Sequence, residues 1–242
     1  MISWVIILTV FQAAAPQRES PRGPRPIPGR GDSQGPTPTP LPPEPTPRPE
    51  GCEKTIALQE PPPGSLVESI KEFMKIFAQK LEDEEYRGQI QITWSFGGLH
   101  FSQKQVVFSQ FTTRRSFIRN LSQIKYLGKG TYIDCALRNM THQMTYHYSG
   151  TKAVLFSVVI TDGHVTGSPC AGIKAAADKA RDQGIHIFSV AASSSIDEQG
   201  MNEIASSPIE VYRDNYIVME IVDGRPRMNT DTIDQIIKVM VI

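Results

Sequence analysis

Two short segments of this sequence put oxygen-bearing side chains where the chain turns. The apolar run Ala153–Ile160 ends in Thr161-Asp162-Gly163, and Gly128-Lys129-Gly130-Thr131 opens a helical segment. One carboxylate and hydroxyls converging on a crevice suit a hard divalent cation, which prefers oxygen ligands. Asp162 can equally cap the turn before Gly163, a role Asp often fills. The five histidines offer no competing centre: His142 and His147 stand five apart rather than four, and no His-Glu-x-x-His occurs. His164 alone lies near the same crevice. There is no Gly-x-Ser-x-Gly elbow and no Gly-x-Gly-x-x-Gly after a strand, and the 128–131 loop lacks phosphate-loop spacing. A non-catalytic protein is expected, with an α/β enzyme using Asp162 as the weaker alternative.

Three cysteines are an odd number for an exported chain. Cys135 starts the helix after the Thr131 loop and Cys170 starts the helix after the Asp162 loop, so both sit near one crevice. A Cys135–Cys170 disulfide is the favoured reading, the alternative being that either is a small buried apolar residue; Cys52 is left over. Asn139-Met140-Thr141 and Asn120-Leu121-Ser122 are N-glycosylation sequons, each in a predicted helix, and Asn139, paired with Thr, is preferred. Arg30-Gly31-Asp32 could present a guanidinium and a carboxylate to an integrin, although three residues make a weak motif.

The elements that must position these groups occupy part of the chain. Of 19 prolines in 242 residues, 13 fall within Pro16–Pro49. A domain usually takes about 100–200 residues, so one domain and an appendage are expected. Residues 1–15 read as a secretory signal: Ile2–Ala15 is apolar except for Ser3, Thr9 and Gln12, and small residues Ala13-Ala14-Ala15 precede Pro16. A buried N-terminal strand or helix is the weaker alternative. Residues 16–63 read as a disordered Pro-rich spacer, since X-Pro steps hold the backbone extended and little there can be buried. Equal numbers of basic and acidic side chains, 25 each, remove the electrostatic footprint of a nucleic-acid binder. No apolar run approaches the ~20 residues of a membrane span, and glycine never recurs every third residue, so no collagen triple helix lies here.

Residues 64–242 read as the folded domain. Leu66, Ile70, Phe73, Met74, Phe77 and Leu81 recur at helical spacing. Gln89–Phe96 alternates as a strand, Gly97-Gly98 is expected to turn the chain, and Gln105–Phe108 forms a second strand. Helices are expected over Thr113–Ile124, from Thr131 to about Tyr148, from Ser168-Pro169 to Gly184, over Asp197–Ser206, and from Thr232 to Ile242. Lys152–Thr161 and Ile185–Ala191 are continuous apolar strands of the kind buried on both faces of a parallel sheet. Ile209–Arg213 is expected as an edge strand. This alternation predicts a doubly wound α/β domain with a mostly parallel sheet covered by helices, its site beyond the carboxyl ends of the strands.

Gly130-Thr131, Val158–Gly163 and the βα alternation resemble the von Willebrand factor A domain. The likeness is tightest to members that head collagen chains, through Gly97–Ser102, Asp134-Cys135-Ala136-Leu137, Val159–Cys170 and Ile236–Met240. The resemblance implies a secreted extracellular-matrix adhesion or assembly module, with matrix proteins and other collagen chains as partners; integrins enter through Arg30-Gly31-Asp32. It also implies a Mg²⁺-dependent adhesion site, in which the threonine falls on Thr131 and the aspartate on Asp162. The family's first strand and its Asp-x-Ser-x-Ser should precede the first helix, but Cys52–Gly64 contains neither. The expected result is a domain whose central first strand is absent, with a vestigial metal site that holds no ion tightly. Such a strand contributes on the order of 8–12 kcal/mol gross, as large as the whole stability of about 5–15 kcal/mol. Its neighbours must therefore close the gap, or the domain is marginal.

Overall fold

The computed structural model describes residues 5–13, 65–86, 90–128, 130–150, 153–191, 195–213, 219–222, 225–228 and 231–241. The chain divides into two units, Met1–Pro16 with Pro61–Ile242, and Gln17–Glu60. The second unit lies outside the described residues, and with it Arg30-Gly31-Asp32, Cys52 and most of the expected spacer.

The described elements are, in chain order, β1 (Val5–Ala13), α1 (Ser65–Lys80), β2 (Glu84–Tyr86), β3 (Ile90–Phe101), β4 (Gln105–Thr112) and α2 (Arg114–Asn120). They continue with α3 (Ile133–His147), β5 (Ala153–Thr161), α4 (Ile173–Asp182), β6 (Ile185–Ala191), α5 (Glu198–Ile204) and α6 (Ile209–Tyr212). Last come β7 (Met219–Val222), β8 (Arg225–Met228) and α7 (Asp231–Met240). The main sheet has the order β2-β3-β1-β5-β6, with β4 also paired to β3, while β7 and β8 form a separate hairpin.

Helices cover both faces because alternate strand residues point to opposite sides. One apolar layer joins Ile70, Phe73, Met74 and Phe77 of α1, Phe117 of α2 and Ile233, Ile236 and Met240 of α7 to Trp94, Phe96, Phe156, Val158 and Ile160. The other joins α3 and α4 to Leu99, Phe101, Leu155, Val159 and Ile187. Leu155 through Thr161 of β5 are all buried, as the continuous apolar run requires.

The centre of the sheet departs from expectation. The position of the first strand is filled, not closed: Val5–Ala13, whose sequence reads as a signal, lies between β3 and β5. Val5 is aligned with Phe101 and Ala13 with Thr93 on one side. On the other, Ile6 is aligned with Ile160 and Ala13 with Ala153. Both ladders are antiparallel. Consequently β3, β5 and β6 run the same way, with β5 and β6 paired in parallel, and β1 runs against its two neighbours. An uncharged run of nine residues satisfies the backbone groups of both walls in this direction. Among the described residues, no carboxylate or paired serines accompany it.

Four local expectations are corrected. Gly97-Gly98 does not turn the chain: β3 continues through it, because aromatic rings of β4 lie across the glycines. A Cβ at Gly98 would stand 2.2 Å from Phe108 Cζ, so hydrogen alone fits there. The chain turns instead at Ser102–Lys104, where Ser102 N–H donates to the Lys104 carbonyl at 2.9 Å. Ile209–Arg213 is not an edge strand, since Ser206 occupies that edge of β6 through Ser206 N–H to Ile187 O and Ile187 N–H to Ser206 Oγ, both 2.9 Å. The following residues coil into α6, whose Tyr212 ring packs on Phe188. The helix expected from Ser168-Pro169 begins at Ile173, because the preceding loop is pinned in a non-helical shape described below. The terminal helix ends at Met240, and Ile242 lies outside the described residues.

Candidate functional site at the carboxyl ends of β5 and β6

Asp162 follows the last residue of β5 and is 7% exposed, and Thr131, just before α3, is 2% exposed. The two loops that carry them are tied together. Thr131 N–H donates to Thr166 Oγ1 at 2.8 Å and Thr166 N–H donates to the Thr131 carbonyl at 3.2 Å. Tyr132 N–H donates to Ser102 O at 3.0 Å, fastening the Thr131 loop to the β3–β4 turn. Asp162 caps its own turn, its Oδ1 accepting from His164 N–H at 3.0 Å. Its carbonyl accepts from Asp197 N–H at 2.9 Å, which fixes the start of α5 against it. Gly163 must be glycine: its φ is +81° and a Cβ would lie 2.5 Å from the Asp197 carbonyl. Asp162 thus fills the turn-capping role before Gly163.

Cys135, in the first turn of α3, and Cys170, in the loop before α4, are joined in a disulfide with 5.1 Å between Cα atoms. Between them sits a residue to which the sequence reading gave no role. Asp134 is fully buried. Its Oδ2 accepts from Cys170 N–H at 2.6 Å and Gly172 N–H at 3.1 Å, and its Oδ1 accepts from Cys135 N–H at 2.9 Å. This carboxylate, with the disulfide, holds the 168–172 loop, in which Ala171 takes φ +76°, and keeps α4 from starting earlier. Its signal in sequence was faint: an acidic residue in the first turn of a helix, next to a cysteine.

Among the described residues, Asp134, Cys135 and Cys170 are the one close group of metal-ligating types. The disulfide consumes both sulfurs and backbone N–H groups occupy the carboxylate, so it is a structural clamp rather than a metal site. His164 Nε2 is buried without a hydrogen-bond partner. A groove of about 590 Å³ between α4 and α5 is lined by Lys174, Asp178, Gln199 and Glu203 among others and does not include Thr131 or Asp162.

The direction of β1 decides which of its ends lies beside the carboxyl end of β5. Because Ile6 is aligned with Ile160, the amino-terminal end of β1 lies beside the carboxyl end of β5. A strand parallel to β5 would bring its own carboxyl end there. Among the described residues, β1 therefore brings Val5 and Ile6 to this end, not an acid and two hydroxyls.

Asn139 lies partly exposed on α3, its Oδ1 accepting from Gln143 Nε2 at 3.5 Å, while the sequon's Thr141 is buried and donates to Leu137 O at 2.8 Å. Asn120, at the end of α2, donates from Nδ2 to Ser109 Oγ at 3.1 Å.

The family model of the von Willebrand factor type A domain matches residues 63–223. The chain is 47% identical over 188 residues to "Collagen alpha-2(VI) chain" of Gallus gallus, covering 77% of this chain and 18% of that one. It is 31% identical over 195 residues to "Collagen alpha-1(VI) chain" of Homo sapiens, covering 78% and 19%. The chain thus spans less than a fifth of the length of these relatives. Among solved structures, the conserved hypothetical protein BatB from Bacteroides thetaiotaomicron is similar with a TM-score of 0.51 at 17% identity, over 72% of this chain and 87% of that one. Proximal thread matrix protein 1 from the mussel byssus, with a zinc-occupied MIDAS motif, reaches a TM-score of 0.50 at 16% identity over 59% and 37%. At such identities the two structures bear on the fold alone.

Proposed function

Since this chain belongs to the von Willebrand factor type A domain family, we propose that it is a secreted, non-catalytic extracellular-matrix adhesion and assembly module that binds other matrix chains without a tightly held metal ion. Export uses residues 1–15, which are then removed, and Asn139 is the preferred glycan acceptor. The observation that carries the metal-independent part is that Cys52–Gly64, ahead of α1, holds no Asp-x-Ser-x-Ser. By resemblance to the family, Thr131 and Asp162 are the residues left to hold an ion. Mg²⁺ demands near-ideal octahedral oxygen coordination and gives up water reluctantly. One carboxylate and one hydroxyl do not fit that demand.

Titration calorimetry with Mg²⁺ tests this directly. No binding in the micromolar range is expected, and micromolar affinity overturns the reading. In a solid-phase assay on collagens, binding should be unchanged by EDTA. If binding occurs instead on integrins and is lost on Asp32→Glu, the Arg30-Gly31-Asp32 tripeptide is the working part and the domain is its carrier.

A further inference from the structure

We propose that, after removal of residues 1–15, the gap between β3 and β5 is a strand-acceptor site that takes an extended, uncharged, apolar segment of a partner polypeptide, antiparallel to both walls. This inference rests on the reading of residues 1–15 as a signal that is removed on export. Val5–Ala13 shows what the gap accepts: a run of nine residues, VIILTVFQA, without a charge. It is aligned from Thr93 to Phe101 on β3 and from Ala153 to Ile160 on β5.

The two walls explain that preference. Trp94, Phe96, Phe156, Val158 and Ile160 belong to the apolar layer on one face of the sheet. Leu99, Phe101, Leu155 and Val159 belong to the layer on the other. A strand lying between these walls meets apolar surroundings on both faces, so a charge at either alternate position would be buried without a partner. Without an occupant, the backbone N–H and C=O groups of β3 and β5 that point into the gap are left unpaired inside the sheet, and unpaired buried backbone groups are costly. Addition of a strand by main-chain hydrogen bonds, with side-chain pockets setting the pattern, is a recurrent mode of peptide capture. Here it would act at the centre of a sheet rather than at its edge. In a matrix-assembly module the occupant is an apolar stretch of another chain, and nothing in the gap demands a metal.

The test uses the secreted protein and a labelled peptide of sequence VIILTVFQA carrying carboxyl-terminal lysines for solubility. Intact mass identifies the first residue, and binding is read by fluorescence anisotropy and by amide hydrogen exchange of residues 93–101 and 153–160. The expected result is a chain starting at Pro16 that binds the peptide, slows exchange in both walls, and prefers it by about tenfold or more over the peptide with Leu8→Asp and Val10→Asp. The full chain that keeps residues 1–15, refolded under oxidising conditions, should not bind, its gap being filled. A secreted chain starting at Pro16 whose walls are already protected and which ignores the peptide shows that β3 and β5 have closed on each other, and overturns the proposal. An unfolded secreted chain that the peptide does not refold overturns it as well. Both of those outcomes leave the signal reading intact, whereas a secreted chain that keeps residues 1–15 removes both. Matrix binding that is insensitive to EDTA and that the peptide does not compete with also overturns the proposal, and leaves the adhesion reading standing.

Discussion

The two flanks of the β5 carboxyl end are built by opposite means. On one side the Thr131 and Asp162 loops come from neighbouring stretches of chain, locked by the Cys135–Cys170 disulfide, the buried Asp134 carboxylate and the reciprocal Thr131–Thr166 bonds. On the other, the place of the first strand is taken by residues remote in sequence, running against both neighbours. The difference separates two requirements that a central strand usually meets together. Filling the sheet needs apolar side chains and a backbone ladder, and either chain direction supplies these. Delivering ligands to the crevice needs the correct end of the strand, and direction alone decides that.

The locked side should be the most costly to disturb. Replacing both disulfide cysteines, Cys135→Ser with Cys170→Ser, frees a loop whose ends are 35 residues apart in sequence and should lower unfolding free energy by about 3–4 kcal/mol, read by urea denaturation. Asp134→Ala strands three backbone donors and should cost about 3 kcal/mol. If instead it costs little, the loop is held by the disulfide alone.

On the gap side the effects are smaller. Gly98→Ala pushes a Cβ into the Phe108 ring and should cost about 1–3 kcal/mol. An unchanged urea midpoint would mean that the β4 rings can move aside. His100, aligned with Ile6 of β1, is 5% exposed. Burial, and secondarily the positive charge of Lys71, hold its pKa below the ordinary 6.5. Above that value folded and unfolded chains both carry neutral imidazole. As pH falls below it, the unfolded chain takes up a proton that the folded chain resists, so stability should drop toward the lowered folded pKa. Comparing urea midpoints at about pH 8 and about pH 5 for the protein and for His100→Phe checks this. Burial shifts His186 in the same direction, so the substitution should remove part of the pH dependence.

Much of the architecture was legible because it rests on periodic burial. Ile70, Phe73, Met74 and Phe77 mark one face of α1, and the unbroken run in β5 marks a strand covered on both sides. Both patterns survive without knowledge of neighbours. The errors fell where a neighbour overrides local preference. Gly97-Gly98 reads as a turn until the Phe108 ring is seen above it. Ile209–Arg213 alternates like a strand until Ser206 takes the edge it would have used. Ser168-Pro169 is a sound helix start that Asp134 and the disulfide postpone.

The sequence by itself determined the helical layers, the buried strands β5 and β6, and the absence of an Asp-x-Ser-x-Ser before the first helix, because composition and period are carried within each segment. Tertiary structure decided three further matters: which apolar segment enters the centre of the sheet, in which direction it runs, and that Asp134 clamps the crevice loops. Each depends on which backbone groups and apolar faces are left unpaired once the rest has packed. That is a property of the assembled walls and of no single segment.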